Sequence, residues 1–441
     1  LAPPAPRADT PTGAATEAEQ EHQVRRTAQA ILFRHLRFGT EEKPVDTFWS
    51  DINLDLTGAL LGPANLIGCR IVAADFTGAT FTGDVWFSRA RFGLDAVFTG
   101  VRFAGEASFS GARFDHSALF DGVTFDNYAR FNDADFRGTT RFGRAEFRSG
   151  AVFTTAMFAG HAWFDDVRFE GWTKFDKARF AQRGVFGGAH FTENVYFNGA
   201  EFDEEAHFHQ VRFTGAYTQF GRAALARADF RTAEFGLNTD FTETRFTGDA
   251  TFAMTKFSGS VDFVRATFDS RVDFDGTRFA GFAMFEDAEF DGDTRFHDCH
   301  FSQLTEFRRT RFAADVEFEE TEFGEGTGFV EATFGGRAQF IRTSFDGVCG
   351  FPGARFDGDT ILDHVHFGGP VGFTRPNFAR PPRIETVWVR LDGRKLDLDS
   401  TWPPSTMVRE TGQRPHGVHE GRWALLVPAP SDETDAVQEQ G

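Results

Sequence analysis

The chain has 441 residues and a formal net charge of −19, and its aromatic content is almost all phenylalanine: 58 Phe against 7 Trp and 3 Tyr. So acidic a chain offers no basic stripe for a phosphate backbone, and direct nucleic-acid binding is not expected. No run of about 18 apolar residues occurs, so no span crosses a membrane, and no apolar leader opens the chain. Because the first residue is Leu1 and not Met, an upstream segment is conceivable, and membrane attachment is expected only through such a segment.

Residues 1–15 are rich in Pro, Ala and Thr and read as disordered. Residues 16–50 read as a helical cap or junction. Thr16 and Glu19 have capping-box spacing, and Val24, Ala28, Ile31 and Leu32 share one helix face.

A repeat occupies 51–378. From Phe76 onward the spacing of Phe alternates between five and six residues. Two series with a step of eleven, starting at 76 and 81, mark 56 positions, and Phe fills 53 of them. The exceptions are Gln219 and Ala224, which sit beside Phe220 and Leu225, and Leu362. Two residues before each Phe stands a small or apolar residue, as in Ala74, Ala79, Val85 and Ala90, and later Thr244 and Thr255. Residues two apart share a face of an extended chain, so each unit points two side chains inward. Gly often follows two residues after the Phe, as at Gly78 and Gly83, where a corner must turn. A helix needs a period near 3.6 and a plain strand a period of two. Short sides joined by regular corners make stacked coils instead, that is, a solenoid whose units touch only their neighbours.

Matching opposite sides gives a coil of 22 residues, so Phe76, Phe98, Phe120 and Phe142 should stack at about 4.8 Å per step. The same spacing predicts about 15 coils and a rod of roughly 70 Å. Between Phe213 and Phe241 the gaps run 7, 5, 5, 5, 6 and then return in phase, which predicts a bulge or kink near 214–226.

The first units keep a strict spacing of five through Leu56, Leu61, Leu66, Ile71, Phe76 and Phe81, with pentads ALLGP, ANLIG, CRIVA, ADFTG and ATFTG. A second strict run reads GRAAL, ARADF, RTAEF around Leu225, Phe230 and Phe235. This pattern resembles the pentapeptide repeat family, whose units read Ala, then Asp or Asn, then Leu or Phe, then two variable residues. The resemblance covers roughly 56–378. It implies an all-β fold, a right-handed quadrilateral β-helix with four five-residue sides per coil. The alternation of five with six departs from that pattern.

After Phe378 the pattern stops at Pro381-Pro382. Residues 379–428 read as a small C-terminal β cap. Within it, 387–398 form a hairpin turning at Asp392-Gly393, and a strand runs from Trp423 to Val427. Residues 429–441 read as a loose acidic tail.

Chemistry is spread evenly along the repeat. No nucleophile–base pair, phosphate loop or zinc spacing stands out, so catalytic, cofactor-binding and metal sites are all expected to be absent. Cys69, Cys299 and Cys349 each fall two residues before a ladder position. They read as buried, unpaired thiols suited to a reducing, cytoplasmic compartment. In His297-Asp298-Cys299-His300 the frame points Cys299 inward and scatters the two histidines outside. His207 and His209, like His364 and His366, read as solvated surface residues. Arg recurs just before Phe, as at Arg91, Arg102, Arg113, Arg168, Arg212 and Arg278, but Asp135, Glu146, Glu201 and Glu234 occupy equivalent places. A basic stripe for an anion is one reading, and ladders of ion pairs suit the mixture better.

These features favour a non-catalytic scaffold that binds a protein partner of unknown identity. The resemblance implies an alternative, because some pentapeptide repeat proteins mimic duplex DNA, bind type II topoisomerases such as gyrase and protect them from inhibitors. Residues 51–378 carry 32 basic and 48 acidic side chains. Over the rod that is about one net charge per 4 Å, against one per about 1.7 Å in B-DNA. A third reading is the repeat portion of a larger, membrane-tethered protein.

Overall fold

The computed structural model describes residues 13–39, 44–391, 401–415 and 421–429. Parallel coils, about 15 of them, stack into a four-sided β-solenoid with one helix at its start. Each side contributes strands of two to four residues for most of the length. We name the sides by their first phenylalanine: Phe76, Phe81, Phe87 and Phe92.

The coil length is read directly from strand register. At the start Asn53 pairs with Ala73 and Leu60 with Thr80, an offset of 20. Offsets of 21 follow, Ala64 to Val85 and Arg70 to Arg91, and then 22 from Ala74 to Ala96 onward. The rod therefore begins as a strict five-residue solenoid and widens by one residue at two of its corners.

The widening coincides with the change from Leu and Ile to Phe at the inward positions. Rings of one side stack through the rod, for example Phe98 on Phe120 at 4.7 Å between centroids and 1° between planes. That separation is set by strand spacing. It exceeds the carbon contact distance of about 3.5–4 Å, so the rings lean in offset stacks, which their quadrupoles favour. The Phe76 and Phe87 sides interleave across the axis, with Phe98 edge-on to Phe87 at 5.7 Å and to Phe109 at 5.4 Å. The Phe81 and Phe92 sides flank this central zip, and the ladder rings are buried almost throughout.

The corners are of two kinds. Five-residue gaps close as tight turns, in which Ala79 N–H donates to Phe76 O at 2.8 Å and Ala90 N–H to Phe87 O at 2.9 Å. The residue two after the Phe then has positive φ, as at Gly78 (67°) and Gly100 (65°), but also at Arg89 (58°), Met254 (57°) and Arg309 (53°). Six-residue gaps turn without positive φ, and their glycines answer a different need. A Cβ on Gly105 would lie 2.4 Å from the carbonyl carbon of Gly83, and one on Gly259 would lie 1.9 Å from Leu237 O. Gly78 and Gly83 thus belong to different devices: Gly78 supplies a left-handed backbone, and Gly83 lets one coil lie against the next.

From 244 onward the small inward residue after the tight corner is often Thr. Its buried hydroxyl donates to the phenylalanine carbonyl of the preceding coil, from Thr244 to Phe220 O, Thr255 to Phe230 O and Thr277 to Phe252 O, each at 2.7 Å. Each hydroxyl is therefore satisfied inside an apolar core.

The irregularity expected near 214–226 is present. Phe197 stacks on Phe220 and Phe220 on Phe241, offsets of 23 and then 21, so one coil gains a residue and the next loses it. The extra residue lengthens the strand Tyr217–Gln219, and the pairing of Glu201–His207 with Ala224–Asp229 shifts register between Phe202 and Glu205. Those two strands run through a corner unbroken. They thereby join the Phe76 and Phe92 sides into one sheet of 29 strands, while the Phe81 and Phe87 sides form sheets of 18 and 15.

At the N-terminus a helix spans Gly13–His35. It starts three residues before Thr16, so Thr16 and Glu19 lie inside it and not at its cap. Val24 and Ile31 are exposed; Phe33, with Leu36 just past the helix, is buried, and Gln29 and Leu32 are half-buried beside them. Gln29 fastens the helix to the first coil by donating to Pro63 O at 2.9 Å and accepting from Gly62 N–H at 2.9 Å.

At the other end the boundary drawn at 378 is corrected. The register offset of 22 continues beyond it, with Leu362 paired to Ile384 and Phe367 to Val389, and Thr386 takes the positive φ of a tight corner. The strand Val387–Arg390 then pairs antiparallel with Trp423–Pro428, which pairs in turn with Thr406–Glu410. Both edges of 387–390 are thus occupied. The turn expected at Asp392-Gly393 lies outside the described residues, as do residues 1–12 and the tail from 430. Closing the sheet this way covers an edge that would otherwise accept another strand.

Candidate functional site

With the interior filled by Phe, any function rests on the outward columns that run along the rod. Many arginines there are paired with carboxylates. Four meet the carboxylate just past the Phe of the next coil, at an offset of 24: Arg91 with Asp115 at 2.6 Å, Arg102 with Asp126 at 2.7 Å, Arg179 with Asp203 at 2.9 Å, Arg245 with Asp269 at 2.8 Å, and others pair at different offsets, as Arg183 with Glu205 and Arg309 with Asp287, both at 2.6 Å. Ladders of ion pairs are therefore what the arginine pattern builds. These pairs are exposed, and each contributes about 0–1 kcal/mol.

A groove of about 1060 Å³ crosses five coils. One wall is the tight-corner column Arg144, Asp166, Gly188, Gln210, Thr232, and the other is the strand column Glu146, Arg168, His190, Arg212, Glu234 of the Phe81 side. At Gly188, in the middle of the first wall, the Asp166 carboxylate lies over the backbone. Burial, with Arg212 and Arg168 on either side, holds His190 below its usual range.

His207 and His209, expected to be separately solvated, are brought together with Asp229, their ligating atoms all within 4.8 Å of one another. This correction follows from stacking, since Asp229 lies one coil above His207. Both neighbouring carboxylates are already held by guanidinium groups: Asp229 by Arg231 at 2.7 Å, Glu205 by Arg183 at 2.6 Å and Arg227 at 3.2 Å. The cluster thus works as an ion-pair net, a poor setting for an additional cation. Within it Asp229 and Glu205 hold His207 above its usual range.

The sign of the resulting pH effect follows. A folded-state pKa above the unfolded value of about 6.5 gives stability that is full below that value and fades as pH rises through the folded one. His207→Gln should therefore cost more stability near pH 6 than near pH 8.5, as read by urea denaturation at both. Equal losses at the two pH values would remove His207 from the net.

The run His297-Asp298-Cys299-His300 does not converge. His297 Nδ1 meets Asp275 at 3.1 Å, His300 Nδ1 meets Glu322 at 2.8 Å, and the buried Cys299 Sγ donates to Phe274 O at 3.0 Å, the same role as the core threonines. His364 is exposed beside Asp363 at 2.7 Å, while burial holds the half-covered His366 below its usual range. Cys69, Cys299 and Cys349 are free and buried, and burial pushes Cys69 up to about 12.

Sequence reasoning missed one aromatic column. The residues preceding the paired strand starts Ala129, Ala151, Thr173, Val195 and Thr218 are Tyr128, Gly150, Trp172, Asn194 and Tyr217. Tyr128, Trp172 and Tyr217 are exposed. The rings of Tyr128 and Trp172 fold over Gly150 with centroids 6.1 Å apart, and Lys174 Nζ lies 5.5 Å from the rings of both Trp172 and Tyr196. All three tyrosines of the chain thus belong to one edge. Their signal in the sequence is the regular spacing of Tyr128, Trp172 and Tyr217, close to twice the coil length.

Two profiles of pentapeptide repeats match the chain, one of nine copies at 68–113, 87–135, 255–300 and 329–375, and one of eight copies at 52–83. No curated protein matches it. Among solved structures it is similar to HetL, described as a pentapeptide repeat protein involved in heterocyst differentiation regulation, from the cyanobacterium Nostoc sp. strain PCC 7120. That match has 14% identity, 54% of this chain and 88% of that one covered, and a TM-score of 0.17. The strict pentads at its start, the four-sided coils they open and the profiles that match 52–135, 255–300 and 329–375 together identify the solenoid as one built of pentapeptide repeats.

Proposed function

We propose that this protein is a non-catalytic scaffold, a rigid rod that docks a protein partner along its aromatic edge. The observation that carries this reading is the exposed column Tyr128, Trp172 and Tyr217 with Lys174 beside it. Tyr and Trp are enriched in protein interfaces because they bring large contact area at little entropic cost. Elsewhere paired arginines are interspersed among the acidic side chains, which suits solubility and does not suit an unbroken anionic face. Three buried thiols fit a reducing compartment, and we place the protein in the cytoplasm. Among the described residues no helix is long and apolar enough to cross a membrane.

The test is capture from a bacterial lysate at about 50 and about 500 mM salt, with the intact chain and with Trp172→Ala/Tyr217→Ala as baits. A partner retained at high salt by the intact chain and lost by the variant is the expected result. Electrostatic contacts weaken once the Debye length falls to a few ångströms, whereas aromatic burial persists. Capture of gyrase at low salt alone, equal for both baits, would replace the scaffold with a DNA mimic. Capture of nothing would overturn both readings.

A further inference from the structure

In the groove on the Phe81 side the position that supplies four other arginines with an aspartate carries none. Where Arg91, Arg102, Arg179 and Arg245 find Asp at an offset of 24, Arg168 finds Thr192, His190 finds Thr214 and Arg212 finds Gly236. His190 Nε2 accordingly contacts Thr214 Oγ1 at 3.3 Å, in place of a carboxylate. Arg168 pairs with no carboxylate among the described residues, and Arg212 reaches Glu234 only at 3.7 Å. The two glutamates at the groove ends are engaged by other cations, Glu146 by Arg148 at 2.9 Å and Glu234 by Lys256 at 3.0 Å. Asp166, the one other acid in the lining, leans over Gly188, where a Cβ would lie 2.5 Å from its Oδ1.

An acidic rod thus keeps two arginines on either side of a histidine, with no close carboxylate on Arg168 and only a distant one on Arg212, facing one concavity. We infer that the groove is a binding site for a compact phosphoryl anion, with Arg168 and Arg212 gripping it from either side of His190. The two arginines stand two coils apart, about 10 Å along the rod. Their long side chains span a pyrophosphate-sized ligand between them, and guanidinium forks match phosphoryl oxygens in pairs. Burial is the main cause that holds His190 below its usual range, and Arg212 and Arg168 add to it.

Calorimetry of the full chain with inorganic pyrophosphate, at low ionic strength and pH 7, tests the site. Binding of one ligand is expected, weakened about a hundredfold by Arg168→Gln/Arg212→Gln, since each lost charge-assisted pair is worth about a decade. Arg102→Gln, which breaks an answered pair on the same side, should leave affinity unchanged. In the intact chain, pyrophosphate should also raise the pKa of the histidine NMR signal that His190→Gln removes, a readout independent of how the arginine variants fold. Absence of binding, equal loss in Arg102→Gln, or an unmoved His190 signal would overturn the proposal. None of these outcomes depends on the aromatic edge, which lies at another corner of the rod.

Discussion

Phe252→Ala should lower stability by about 3–5 kcal/mol, measured by chemical denaturation. Phe252 is fully buried, stacks at 5.0 Å on both Phe230 and Phe274, and meets Phe241 and Phe263 edge-on at 5.7 and 5.5 Å. Deleting the ring removes contacts in the coils above and below as well as across the axis. The regular register keeps those coils from closing on the gap, so the cavity persists. In a solenoid whose units touch only neighbours, the loss also weakens communication between the halves, and a broadened transition should accompany it. Phe282 supplies the control. It sits outside the ladder and is 43% exposed, so Phe282→Ala should change stability by about 0.5 kcal/mol or less. Similar losses at the two positions would refute the ladder as the source of stability.

The second large effect concerns the corners. Gly259→Ala should destabilise by about 1–3 kcal/mol or more, because overpacking between coils cannot be relieved by a rotamer change. The added carbon would lie 1.9 Å from Leu237 O and 2.5 Å from Leu237 C. Only separation of two coils makes room, and that stretches the hydrogen bonds of every side. Gly100→Ala meets nothing within 4 Å, and its cost is that of a left-handed backbone, φ 65°, about 1–2 kcal/mol. Thermal and urea melts of the two variants should rank Gly259→Ala as the worse. The reverse order would show that φ, and not coil-to-coil distance, governs both corners.

Several features were legible in the sequence because they are local. Inward and outward positions alternate within each unit, so the Phe beat, the small residue two before it and the buried cysteines could be assigned without a structure. The coil length followed from matching opposite sides, and the slip near 214–226 could be placed because stacked coils must return to phase. Where the pattern changed residue type, sequence reading stopped short. Ile384 and Val389 keep the beat past Pro381-Pro382, but they are not Phe. The helix showed the same weakness: its apolar residues Val24 and Ile31 face outward, and Gln29 is what ties it down.

What tertiary structure alone decided are the encounters between coils. His207 meets Asp229, Tyr128 folds towards Trp172, and Arg168 faces a threonine and not an aspartate, all across one or two full coils of chain. Such meetings depend on which corner carries six residues and which five, a difference that moves every later side chain around the rod. The sequence determined a phenylalanine-cored pentapeptide solenoid and its register, because hydrophobic burial at a fixed period leaves one way to coil. The stacking of those coils decided which outward charges are answered and which are left open, because side chains adjacent on the surface are remote along the chain.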